Sequence, residues 1–336
     1  MTIIAYIIRR VVLLVPTLIF LILMVFVLFR AVPGDPARLA AGRDTSEEKV
    51  QQMREELMLD VPLYIQFFSY TKDVVTFKFG KSAYTGRRVI LDIGKYLSAS
   101  LELGTLSLLF AIIIGIPLGI ISAVSHNRWA DHIARALAIS GVSIPVFWLG
   151  LIALWVFYLH LGWFPWGGRI SFFLSPPDHI TGLYVIDSIL TNNLATLKSS
   201  IWHLVLPVIT LGVALIAYIS RMTRSSMLEV LRQDYIQTAK SKGLSKMSVI
   251  FKHAFRNAMG PVLTSTGYLF AHLLGGVVLT ETIFSWPGIG LYLVEAIMRL
   301  DIKPILGFTL FAGLIYVIIN LLVDILYFYI NPKMKV

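Results

Sequence analysis

The chain has 336 residues, 57% of them hydrophobic and 14% charged, with a mean hydropathy of +0.78. A water-soluble domain of this size has no interior able to take up that much apolar surface, so a soluble enzyme is excluded. The 29 Lys and Arg outnumber the 19 Asp and Glu by ten, and the absence of cysteine excludes disulfides, thiolate metal sites and cysteine nucleophiles.

Crossing a hydrocarbon core of about 30 Å takes roughly 20 apolar helical residues, because lipid offers the backbone no hydrogen-bond partner. Six stretches free of Asp, Glu, Lys and Arg meet that length: Val11–Phe29, Leu103–Val124, Ala136–Leu161, Ile201–Ser220, Asn257–Thr280 and Ile305–Val323. The last is expected to continue to about Ile330. The expectation is an all-α membrane protein with six transmembrane helices. The first run follows Arg9 and Arg10 as a signal peptide would, but it is longer than an apolar signal core of about 7–15 residues. Phe29-Arg30-Ala31 is also no small-residue cleavage site, so this run is expected to remain as the first span.

Between the first two runs, Pro33 to Ser98 opens with the turn-rich Pro33-Gly34-Asp35-Pro36. Thr45 to Glu48 predicts a capping box, and Val50, Met53 and Leu57 predict the apolar stripe of a short helix lying on the membrane surface or on the spans. A second connection, Gly162 to Ser200, holds Trp163, Pro165, Trp166, Pro176 and Pro177, and its tryptophans suit an interfacial aromatic belt. In Arg221–Arg256, eight residues are basic and two acidic. Leu228, Leu231, Tyr235 and Ala239 predict one amphipathic helix, and Met247, Ile250, Ala254 and Ala258 a second. Gly243 between them is suited to a left-handed terminating turn, Leu244 supplies the following apolar contact and Ser245 can cap the second helix. In the last run Asp324 is the one carboxylate inside an apparent span, with Asn320 a turn before it; an anchoring role close to the membrane boundary is favoured over proton coupling.

Lys and Arg hold their loops on the cytoplasmic side. With both termini inside, the inner pieces carry Arg9, Arg10, Arg128, Arg135, eight residues of the 221–256 loop, Lys333 and Lys335, against Asp131, Glu229 and Asp234. That is 14 basic against three acidic, whereas Pro33–Ser98 balances ten against nine. The surplus of positive charge is therefore a topology signal, and nucleic-acid binding is not expected. Gly80-Lys81-Ser82 lacks the earlier glycine of a phosphate-binding loop, and the seven histidines make no tight ligand spacing.

At the 221–256 loop the sequence resembles the permease subunits of binding-protein-dependent ABC importers, in their dipeptide and oligopeptide branch. Arg221 to Leu231, Asp234 to Leu244 and His253 to Ala258 carry the resemblance, as do Leu101-Glu102-Leu103-Gly104, Thr280 to Gly290 with its Trp286-Pro287-Gly288, and Asn320 to Asp324. Gln237 and Thr238 depart from the general Glu-Ala-Ala signature of that loop, while Ala239, Gly243 and Pro261 keep it. The resemblance implies the type I ABC importer permease fold in a prokaryotic plasma (inner) membrane, with no catalysis and no cofactor on this chain. ATP and magnesium would belong to two partner ATPase subunits, beside a homologous second permease and an external solute-binding protein. It implies an ATPase-coupling role for Tyr235, Ala239, Gly243, Leu244, His253, Arg256 and Asn257. It also implies dipeptide or oligopeptide transport; relatives take oligosaccharides, nickel chelates or glutathione. The expected organisation is residues 1–96, first span and outer loop, then 97–330 as the permease core. The alternative from another class is an ion-coupled carrier using Asp324, Glu102 or Glu281.

Overall fold

The computed structural model describes residues 3–31, 35–41, 45–274 and 277–330. Pro33, Gly34, Asn331, Pro332, Lys333 and Lys335 lie outside them. The helices in chain order are α1 (Ile3–Ala31), α2 (Pro36–Ala41), α3 (Glu47–Glu56), α4 (Leu63–Val75), α5 (Val89–Val124), α6 (Trp129–Ser143) and α7 (Val146–Ala153, continued as a π-helix over Leu154–His160). After them come α8 (Tyr184–Leu190), α9 (Leu194–Leu231), α10 (Asp234–Ser241), a π-helical turn Ser248–Phe255 leading into α11 (Arg256–Leu274), α12 (Val278–Ile283), α13 (Ile289–Met298) and α14 (Ile302–Ile330).

By length and composition α1, α5, α9 and α14 are each able to cross a membrane, and α6 with α7 makes a fifth if counted as one bent span. The third expected span is thus not a straight rod: α6 and α7 meet at 94°. Pro145 disfavours the helical conformation at the residue before it, and Ile144 is extended at φ −84°, ψ 122°. Of the fifth expected span, α11 supplies Asn257 to Leu274, 18 residues too polar with Asn257, Thr264, Ser265 and Thr266 to pass as an apolar span alone, and Val278 to Thr280 belong to the separate α12. The boundary expected at residues 96 and 97 falls within α5, which runs unbroken from Val89 to Val124.

The contacts fix the direction of each long helix. Gly115 lies against Ile216 and Ile219, and Gly119 against Ser220 and Thr223, so residue numbers rise together and α5 runs parallel to α9. A Cβ on Gly119 would stand 2.5 Å from that of Thr223, so this small-xxx-small pair lets two apolar helices approach closely where lipid gives no hydrophobic drive. Numbers oppose between α1 and α14, where Leu21 meets Gly313 and Arg10 meets Asp324, so these are antiparallel along their length. Numbers also oppose between α11 and α14, where Gly267 meets Val323 and Ala271 clusters with Ile319, and between α6 and α9, where Asp131 meets Arg224 and Gly141 meets Val213 and Ala217.

One expectation for the first connection is corrected. The Thr45 hydroxyl donates back to the Ala41 carbonyl at 2.9 Å, and Ser46 occupies the N-cap position without a side-chain bond, so the capping box does not form. An unexpected helix, α4, does much of the docking: Phe67, Tyr70 and Val74 pack against buried Ile22 and Val25 of α1 and Leu310 of α14. Arg30 anchors it, donating from Nε and Nη2 to the Gln66 side-chain oxygen at 3.0 and 2.6 Å.

Candidate functional site

At the end of the bundle that carries the basic loop, α9 stops at Leu231 and Arg232-Gln233 break the chain before α10. The expected single stripe of Leu228, Leu231, Tyr235 and Ala239 is therefore split across two helices. The break resets the facing: Ile236 and Ala239 are buried, and Tyr235 is 43% exposed. α10 ends in a Schellman turn, in which the Leu244 amide donates to the Ala239 carbonyl (3.3 Å) and the Gly243 amide to that of Lys240 (3.0 Å). Gly243 sits at φ +75°, a conformation that side chains with a Cβ resist. The next turn begins under Ser245, whose hydroxyl oxygen accepts the Ser248 amide at 3.3 Å, and continues as π-helix rather than the expected α-helix.

Among the described residues this elbow is seated by apolar packing. Ile236, Ala239, Val249, Ile250 and Ala254 form one buried cluster with Ile120 and Ala123 of α5 and Met227 of α9. A groove of about 400 Å³ remains between the elbow and the α5 end, with Lys240 and Lys246 beside Val124, Leu231 and Leu244. On the outside, Tyr235, Leu244, Met247 and Phe251 are exposed, Met247 by 64%. Arg256 and Asn257 are exposed as well, and His253 is half-buried with its carbonyl accepting the Asn257 amide group at 2.7 Å. Among the expected residues, then, Ala239 is core, Gly243 is the turn, and Tyr235, Leu244, Arg256 and Asn257 face out.

Just above the elbow lies a carboxylate that sequence reasoning counted only as one of three inner acids. Asp131, in the first turn of α6, is fully buried. Its Oδ1 accepts the Ser122 hydroxyl (2.6 Å) from α5 and Nε of Arg224 (2.8 Å) from α9, and its Oδ2 accepts the Asn127 amide (3.0 Å) and Nη2 of Arg224 (3.0 Å). His126 and Arg135 stand 3.6 Å away. A lone acid among Arg128, His132 and Arg135 at a helix start was the available signal. Asp324 pairs with Arg10 of α1 at 2.7 Å, whereas the buried Oδ1 of Asn320 makes no hydrogen bond.

The far end of the bundle is held differently. Glu102 of α5, 4% exposed, accepts Nη2 of Arg169 at 2.6 Å and the Val185 amide at 2.8 Å. Arg169 lies in the 162–200 connection, 8% exposed, 3.5 Å over the Tyr184 ring. Glu281 accepts the Ser100 hydroxyl (2.5 Å) and the amides of Gly290 (2.7 Å) and Leu291 (3.0 Å), capping α13. The buried Trp286 indole donates to the Ala99 carbonyl at 2.8 Å. Burial alone would raise the Asp187 carboxyl, but the hydroxyl and amide of Thr181 and the amides of Gly182 and Ile180 outweigh it and hold the group below the usual carboxylate range. The two tryptophans of the expected belt, Trp163 and Trp166, are more than half exposed.

Long apolar helices, a bent helix pair and a projecting elbow make this a helical membrane protein. Residues 115–336 match the family described as the inner membrane component of binding-protein-dependent transport systems, and residues 3–86 match the N-terminal component of the same systems. The chain belongs to that family and is a multi-pass inner membrane protein. It is 45% identical to the dipeptide transport system permease protein DppB of Alkalihalophilus pseudofirmus, over 98% of this chain and 99% of that one. It is 44% identical to a probable D,D-dipeptide transport system permease, DdpB, of Escherichia coli K12, over 92% and 91%. Among solved structures, a chain of the MetNI methionine ABC transporter in an inward-facing conformation superposes with a TM-score of 0.55 at 14% identity, covering 72% of this chain and 97% of that one. The fold is therefore that of an ABC importer permease, as the resemblance implied.

Proposed function

We propose that this chain forms, with a second homologous permease, the translocation path of an ATP-driven importer for dipeptides and short oligopeptides. ATP and magnesium are held by two partner ATPase subunits, and an external solute-binding protein delivers the substrate. The observation that carries the reading is the elbow: a capped, basic helix pair at the end of the bundle, seated on α5 and α9 and presenting Tyr235, Leu244, Met247 and Phe251 outward. Apolar side chains grouped on a charged surface mark a docking face. The ATPase receives that face, and packed helices pass its displacement on as rigid bodies.

The helix directions support six crossings with both termini inside. α1 and α14 are antiparallel, α5 and α9 parallel, and α6 and α11 antiparallel to the helices they pack against, which is what strict alternation of α1, α5, α6–α7, α9, α11 and α14 requires. The basic end then faces the cytoplasm, in accord with its excess of Lys and Arg. Asp324 serves as an anchor: its charge is met by Arg10, so an ion-coupled carrier gains no support from it. The peptide substrate follows the two relatives named above.

The chain has no cysteine, so Met247→Cys gives a single reactive site for cross-linking. In the intact transporter a short bifunctional reagent at that site should capture an ATPase subunit, and vesicles with all subunits should take up labelled alanyl-alanine only with ATP. Uptake by this chain alone would refute the reading.

A further inference from the structure

We propose that Asp131 is a positioning residue for coupling: by clamping Arg224 of α9, Ser122 of α5 and the start of α6 together, it makes displacement of the elbow reach the bent span α6–α7. The proposal rests on the ATP-driven reading above and assigns one residue within it.

Three facts place the clamp in the line of force. First, it lies beside the seat of the elbow: Ser122 sits between Ile120 and Ala123, and Arg224 is one turn before Met227, all three apolar residues belonging to the buried cluster that holds Ile236 and Val249. Second, it is the polar tie of α6 to both neighbours at this end. α5 and α9 touch closely through Gly115 and Gly119, but α6 is joined to them here by the carboxylate, which also closes the α5–α6 turn through the Asn127 amide, with Asn127 at φ +60°. Third, the tie is directional. Arg224 meets Asp131 through two parallel bonds of 2.8 and 3.0 Å, a planar fork that resists rotation as a single contact does not. A side chain merely filling space would leave α6 free to slide on α9 when the elbow moves.

The arrangement is also costly to dismantle. With Asp131 removed, Arg224 loses its carboxylate and the Ser122 hydroxyl loses its acceptor in a site without exposure. Such a group is retained where geometry matters, and the geometry here joins three helices to the element that the ATPase moves.

The test is uptake of labelled alanyl-alanine per ATP hydrolysed, measured in vesicles holding the whole transporter, for Asp131→Asn and for the milder Arg224→Lys, which keeps the charge and loses the fork. Subunit co-purification is checked for both. The expected result is an assembled complex that still hydrolyses ATP, with uptake per ATP down about tenfold for Asp131→Asn and about threefold for Arg224→Lys. As rescue, Asp131→Cys with Arg224→Cys should regain coupling when bridged by a bifunctional thiol reagent and not when each thiol is blocked singly. Unchanged coupling in an assembled variant overturns the proposal. So does loss of assembly in both variants, which would make the clamp a folding element. If the unmodified complex shows no ATP-dependent uptake, the transporter reading itself fails, a result distinct from wild-type coupling with intact variant coupling.

Discussion

The elbow and the far end of the bundle are held by different physics. At the far end, Glu102, Asp187 and Glu281 are buried and each is met by several donors, so that α5, α12, α13 and the 162–200 connection are tied by directional bonds. Among the described residues the elbow is seated by the apolar side chains of Ile236, Ala239, Val249, Ile250 and Ala254, and its charged groups face out. Directional bonds hold one arrangement, while apolar packing against α5 and α9 lets a capped unit shift as a body. In the proposed function the far end is the fixed clasp and the elbow the driven lever.

The sharpest way to break this contrast is Glu102→Ala. It leaves the Arg169 guanidinium buried without its carboxylate, a loss of about 3–5 kcal/mol, which thermal unfolding of the purified complex reads as a large fall in Tm. A loss below about 1 kcal/mol would show that the clasp is not what holds the far end. Next comes Gly119→Ala. Its methyl would meet Thr223 and the Ser220 carbonyl, so α5 and α9 must part at a cost of about 1–3 kcal/mol, seen in the same melt.

Gly243→Val forces a β-branched residue to φ +75°, locally worth about 1–2 kcal/mol or more, and its signature is functional: Tm nearly unchanged, uptake per ATP sharply reduced. Met247→Ser, at an exposed position, should alter stability by less than about 0.5 kcal/mol while weakening ATPase co-purification. The smallest effect is pH-dependent. Because the Asp187 carboxyl is held below its unfolded value of about 3.9, its stabilising share is present above that value and is lost as pH falls through the lower folded one. Amide exchange around residues 180–187 should quicken only under that acidity, and Asp187→Asn should be flat across it.

The membrane character, the apolar middles of the longest helices and the glycine turn were legible in the sequence, because each rests on local composition or spacing. Val11–Phe29, Leu103–Val124 and Ile201–Ser220 lie inside α1, α5 and α9. What stayed hidden was long-range or depended on competition. Glu102 and Arg169 are 67 residues apart, and nothing local pairs them, although Glu102, bordering an apolar run, was a reason to seek a partner. The capping box failed because the helix starts one residue later, with Ser46 and not Thr45 at its N-cap. The Tyr235 stripe failed because a two-residue break at Arg232-Gln233 resets the helical phase, which a periodicity carried across it does not register. The 94° bend within Ala136–Leu161 was missed, although Pro145 was there to mark it.

The most direct test of the driven lever is a single set of vesicles holding this chain, its second permease and both ATPase subunits, with the solute-binding protein outside, in which alanyl-alanine uptake and ATP hydrolysis are followed together for the unmodified chain and for Gly243→Val. Uptake tied to hydrolysis in the first, and hydrolysis persisting without uptake in the second, is the predicted result. Equal uptake per ATP in both would contradict it.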